Sequence, residues 1–145
     1  MKKIISLFAA SLFLFVTPAC KKDKDKTQSK MELLTTGSWK VTASVSDDDG
    51  NGTYETNDFA SFPACFIDNI FTFKTNGQLE LDEGPSKCDI MDPQTETVTW
   101  QFTNNEANLV VDGDTYDIAE LSTTTFKIKE NLSGGRSSVV TFTKR

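Results

Sequence analysis

TVTWQFTNNEANLVVDGDTYDI, residues 97–118, decides how the rest of the chain is read. Val98, Trp100 and Phe102 alternate with Thr97, Thr99 and Gln101. A period of two puts one side of an extended segment into a core and leaves the other in water, as a half-buried β-strand requires. Leu109 and Val111 form a second short alternation, and Tyr116 and Ile118 a third. Asp112-Gly113 lies between those two, and Asp-Gly flanked by alternating apolar residues is a strong local signal for a hairpin.

The same period runs outward in both directions. Upstream, Trp39, Val41, Ala43 and Val45 alternate with Lys40, Thr42 and Ser44. Ile67, Phe71 and Phe73 share a face of one segment, which Asn76-Gly77 turns into Leu79-Leu81. Downstream, Phe126-Ile128 is carried by Ser133-Gly134-Gly135 into Val140-Phe142. Met31 to Thr36 reads as a short helical turn closed by Gly37. No helical periodicity separates the strands, so the order is an antiparallel meander. Eight one-sided strands in sequence bury that side by closing into a barrel, which also removes exposed sheet edges. A two-sheet sandwich is the rival, but it needs longer crossing connections than the chain offers after Cys88.

Gly37-Ser38-Trp39, at the start of the first strand and just after a helical turn, resembles the Gly-x-Trp signature of lipocalins. The wider pattern is more specific. It comprises Cys65-Phe66-Ile67-Asp68-Asn69, Phe71-Thr72-Phe73, Asn76-Gly77, Asp82-Glu83-Gly84 and Lys87-Cys88-Asp89. A Thr-x-Thr-Trp strand ending at Trp100 and a closing Thr-Phe-Thr-Lys follow. This is similar to the lipocalin-like domains of small Bacteroidetes-type lipoproteins, over residues 31–145. The resemblance implies an all-β, eight-stranded up-and-down lipocalin-like barrel after a short N-terminal helical turn. It also implies that Trp39 closes one barrel end beneath a basic side chain of the last strand, Lys144 or Arg145.

Residues 1–19 read as a lipoprotein signal peptide. Lys2 and Lys3 precede an uncharged apolar run, Ile4 to Val16, of signal-peptide length. That run is shorter than the roughly 20 residues a helix needs to span a bilayer. Thr17-Pro18-Ala19-Cys20 resembles the bacterial lipobox, whose cysteine is acylated, with palmitate among the expected chains. Residues 20–30 then form a lipidated cysteine and a charged tether. The expected location is the cell envelope, anchored through Cys20 in the outer membrane at its periplasmic face or at the cell surface. Multiple acylation of Cys20 would make that anchor durable.

Composition narrows the chemistry. The formal charge is −6 and histidine is absent. An acidic domain repels phosphate backbones, so no nucleic-acid partner is expected. Without histidine there is no ordinary catalytic triad and no common zinc ligand, and the chain is read as no enzyme. A monomer is expected. With Cys20 given to lipid, Cys65 and Cys88 remain, and an exported chain favours their pairing as a disulfide.

The segment DDDGNGTYETND, residues 47–58, fits the spacing of a calcium loop. Hard cations take six to eight oxygens, and alternate residues of a tight loop can point theirs inward. Asp47, Asp49 and Asn51 would supply side-chain oxygens, Thr53 its carbonyl, Glu55 a direct or water-bridged oxygen, and Asp58 the closing carboxylate. The competing reading is a solvated acidic turn, where Asp, Asn and Gly are the expected residues in any case. Ca2+ is the one cofactor the sequence suggests.

Trp39, Phe71, Phe73, Trp100, Phe102, Tyr116, Phe126 and Phe142 are expected to point into the barrel. There they either fill it or line a cavity for a small apolar ligand, since eight-stranded barrels do both. Two functions follow: a tethered binding module for such a ligand or for a protein partner, and a structural surface protein with a calcium-stiffened loop and a filled barrel.

Overall fold

The computed structural model describes residues 27–145. The expected signal peptide, Cys20 and most of the expected tether lie outside the described residues.

Helix α1 spans Lys30–Thr35 and opens with a capping box: Ser29 accepts from the Glu32 amide, and the Glu32 carboxylate accepts from the Ser29 amide. Two end donors of the helix are thereby satisfied. The strands are β1 (Trp39–Asp47), β2 (Thr56–Asn57), β3 (Ile70–Phe73), β4 (Gln78–Asp82), β5 (Thr95–Thr103), β6 (Asn108–Val111), β7 (Asp114–Leu121), β8 (Thr125–Asn131) and β9 (Ser137–Lys144). They form one antiparallel sheet in the order β2-β1-β3-β4-β5-β6-β7-β8-β9, and β1 also pairs with β9. Every strand except the two-residue β2 therefore belongs to a closed ring, the predicted up-and-down barrel.

Turn chemistry agrees with local sequence. Asp112 and Gly113 both have positive φ, 49° and 94°, as the type I′ turn between β6 and β7 demands. Asn76-Gly77 closes β3 onto β4, with the Lys74 amide donating to the Gln78 carbonyl at 2.8 Å.

Two segments depart from simple alternation. Ile67, expected to share a strand face with Phe71 and Phe73, instead ends a helical turn, α2 (Ala64–Ile67), behind Pro63. Pro63 fixes the turn's start and offers no ladder donor. β1 contains a bulge between Val41 and Ala43 opposite β9. Beyond it the pairing shifts by one, so Ser44 faces inward with Val140 and Ser46 with Ser138, while Ala43 pairs with outward Thr141. Ser44 and Ser46 are accordingly buried, where alternation alone placed Ala43 and Val45.

The seam between β1 and β3 is the ring's weakest join, with register only at Trp39–Phe71. The segment between β2 and β3 covers it, packing Phe59 and Phe62 against the core. Phe59, Phe62 and Phe66 meet edge to face, with centroids 5.9 and 5.0 Å apart. The core itself holds Leu34, Trp39, Val41, Phe73, Leu79, Trp100, Leu109, Phe126 and Phe142. Leu34 comes from α1, so the helix plugs one barrel end. The strand directions place the loops of residues 47–58, 82–94, 112–114 and 132–136 at the opposite end.

Candidate functional site

The barrel interior is not completely filled. A cavity of about 150 Å3 remains, walled by Phe71, Phe73, Tyr116, Phe126 and Phe142 together with aliphatic side chains of β4, β6 and β8. Five of the eight aromatics expected to point into the barrel border this cavity. The other three serve elsewhere. Trp39 is fully buried beside α1, where its Nε1 donates to the Leu34 carbonyl at 2.8 Å. Trp100 Nε1 donates to the carbonyls of Lys74 and Gln78. Phe102 packs edge-on against Trp100, with centroids 5.3 Å apart, and borders a solvent-open hollow at the α1 end.

The cavity wall is held by aromatic packing. Phe126 stacks on Phe142 at 5.3 Å, meets Phe73 edge-on at 5.9 Å and lies 5.7 Å from Trp39. Aromatic pairs in such geometries contribute about 0.5–1.5 kcal/mol each beyond their buried area. Tyr116 is the cavity's polar wall residue. Burial, with the carboxylates of Asp114 and Glu130 nearby, pushes its phenol pKa up, so the hydroxyl stays protonated well beyond neutrality.

At the barrel end opposite α1, the acidic loop folds around Asp47. Its carboxylate is buried and accepts from the amides of Gly50, Asn51 and Gly52 at 2.8, 3.1 and 2.9 Å. Burial alone would push the Asp47 carboxyl up, but the three amide donors, with Asp49 beside it, together hold it below the ordinary value. Carboxylate oxygens of Asp47, Asp49 and Glu55 lie within 4.8 Å of one another. Asn51 joins them, its amide donating to Asp49 at 2.9 Å and to Glu55 at 3.1 Å, and its carbonyl oxygen accepting from the Thr53 amide. Asp58, expected to close the loop, begins a 3-10 turn and accepts from the Ser46 hydroxyl at 3.2 Å.

Cys65 and Cys88 form a disulfide, with Cα atoms 5.1 Å apart. It ties α2 to the β4–β5 loop. Buried Asn69 sits beneath this bridge, 2.9 Å from the Cys65 carbonyl and 3.2 Å from that of Glu83, with its amide placed to donate to both. Asp82 braces the same loop by accepting from Gln94 Nε2 and the Gly84 amide, and these donors hold its carboxyl below the ordinary value.

A family model, the lipocalin-like domain, matches residues 35–128. The chain belongs to the lipocalin-like domain family. A lipocalin-like protein from Bacteroides uniformis, solved by crystallography, is similar at 14% identity and a TM-score of 0.41, covering 77% of this chain and 98% of that one. No curated protein matches the chain. In this lipocalin-like domain the signature tryptophan, Trp39, does close the α1 end, and the basic residue above it is Lys144. The inward serines Ser44 and Ser46 escaped sequence reading, because a bulge gives no compositional sign.

Proposed function

We propose that this lipocalin-like domain is a non-catalytic binding module that takes a small apolar ligand and is held at the cell envelope by a lipid on Cys20. The partly open cavity bordered by Phe71, Phe73, Phe126 and Phe142 carries the reading. An apolar space of about 150 Å3 accepts a benzene-sized molecule, so the ligand, or the part of it inside, is small. Ligand-observed fluorine NMR with fluorobenzene tests this. Saturable binding that disappears when Val111→Phe fills the space supports the module; absence of saturable binding to the unmodified chain overturns it.

The anchor rests on the apolar run of residues 4–16 and the Ala19-Cys20 junction. Among the described residues no helix is long and apolar enough to cross a membrane. Mass spectrometry of membrane-extracted protein should find a mature chain that begins at acylated Cys20, and a chain still carrying residues 1–19 without acyl groups would refute the anchor.

A second reading is favoured by one observation, the convergence of Asp47, Asp49 and Glu55 oxygens. On this reading the loop takes Ca2+, with Asn51 and Thr53 contributing oxygens, and the ion stiffens the barrel rim of an accessory surface protein. Affinity would fall in the weak extracellular range, about 10⁻⁴ to 10⁻³ M. Calorimetric titration with calcium should give heat that Asp49→Ala abolishes; no heat from the unmodified chain removes the reading.

A further inference from the structure

The barrel end opposite α1 is strongly acidic. Its loops over residues 47–58, 82–94, 112–114 and 132–136 carry eleven carboxylates against two cations, Lys87 and Arg136. Charge alone says little about a ligand. The register says where two of the carboxylates on the adjoining strand ends stand relative to the cavity.

Tyr116 and Val111 both line the cavity, on β7 and β6. Asp114 lies two residues before Tyr116 and pairs directly with Val111. Strand residues two apart share a face, and directly paired residues share it too. Asp114 therefore belongs to the barrel's inner face at the strand end. Ile128 on β8 also lines the cavity, and Glu130 follows it by two, opposite inward-facing Ser138. Both carboxylates are solvent-exposed at the rim. The cations of β8 alternate to the other side: Lys127 is ion-paired with Glu120 at 2.7 Å, and Lys129 pairs with Asp117 in the outward register. Burial aside, Asp114 and Glu130 are the charges that raise the Tyr116 phenol, which places their fields at the cavity wall.

Building on the reading of the cavity as a ligand site, we propose that the ligand is a cationic amphiphile. Its small aromatic or aliphatic body would enter between Tyr116, Val111 and Ile128, and its ammonium group would stay at the rim between Asp114 and Glu130. An apolar wall below and two carboxylates above select against anions such as fatty acids, because an anionic head at that rim would meet like charge. The exposed carboxylates leave the ammonium partly hydrated, so each is worth about threefold in affinity, the range of exposed ion pairs, and together they give about tenfold.

The test uses the full chain in phosphatidylcholine nanodiscs at low salt, with ligand-observed fluorine NMR of three probes sharing one body: 4-fluorobenzylamine, 4-fluorobenzyl alcohol and 4-fluorobenzoate. The amine should bind about tenfold more tightly than the alcohol, and the benzoate most weakly. In Asp114→Asn/Glu130→Gln the amine should fall to the alcohol's affinity, while the alcohol is unchanged. Equal binding of all three probes overturns the cation preference and leaves the cavity site standing. A preference that survives the double variant overturns the assignment to these two carboxylates. Failure of all three to bind overturns this proposal and the cavity reading together.

Discussion

Lys144 Nζ stands 4.6 Å from the centroid of the Trp39 ring and donates to the Leu33 carbonyl at 2.8 Å. First and last strands are thereby joined to α1 at one point. Lys144 comes from the end of β9, Trp39 from the start of β1, and Leu33 from the helix. Burial pushes the Lys144 ammonium pKa down, yet the ring face and the carbonyl both favour the charged form.

Lys144→Met keeps the aliphatic stem and removes the charge and the donor. A partly desolvated cation–π contact and a hydrogen bond of a charged donor are together worth about 1–3 kcal/mol. The variant should lose that much stability in urea unfolding. Trp39→Ala, at a fully buried aromatic, should cost more, about 3–5 kcal/mol.

Asp47 makes the acid side of the stability curve steeper. Its folded pKa is depressed, so the stability it contributes is complete above the unfolded value of about 3.9. That stability is lost as pH falls through the lower folded value. Urea midpoints measured from neutral pH into strong acid should drop for the unmodified chain at the acid end. Asp47→Asn should start lower at neutral pH and decline less there.

Reducing the Cys65–Cys88 bridge opens a loop with a sequence separation of 23 residues. Chain entropy puts its stabilisation at about 3 kcal/mol. The bridge also anchors the segment that covers the β1–β3 seam. Amide hydrogen exchange should accordingly quicken first between residues 58 and 70 on reduction, before the β8–β9 ladder, where pairing runs over the whole strand.

Gly84→Ala is expected to be costly. Gly84 has φ of 69°, and a Cβ there would lie 2.5 Å from the Asp68 carbonyl oxygen, a backbone atom with little room to move. The left-handed conformation costs a non-glycine residue about 1–2 kcal/mol before that clash is counted. A drop below 1 kcal/mol in unfolding free energy would mean the β4–β5 loop moves freely away from residue 68. Gly113 also has a positive φ, 94°, but open space around it, so Gly113→Ala should show the conformational cost alone.

The strands of the ring were legible because each carries its own signal. Alternation at residues 98–102, 109–111 and 126–128, with Asp112-Gly113 and Asn76-Gly77 between runs, is local information that neighbouring segments do not need to supply. The Gly-x-Trp stretch at residues 37–39 likewise pointed to the closed barrel end, and exclusion by composition left the Cys65–Cys88 pairing as the simple choice. The segment around Ile67 misled because Ile67, Phe71 and Phe73 satisfy a strand pattern that Pro63 overrides.

Alternation, turn residues and cysteine count are properties of short windows, so strand order and the antiparallel meander could be read from the chain alone. The bulge at residues 41–43 and the inward turn of Ser44 and Ser46 could not, because a register shift depends on the partner strand β9. Neither could the division among the eight aromatics, five on a cavity and three outside it, nor the position of Asp114 and Glu130 above Tyr116. Those depend on which strands meet when the ring closes and on the volume left inside, and both are set by packing across residues far apart in sequence.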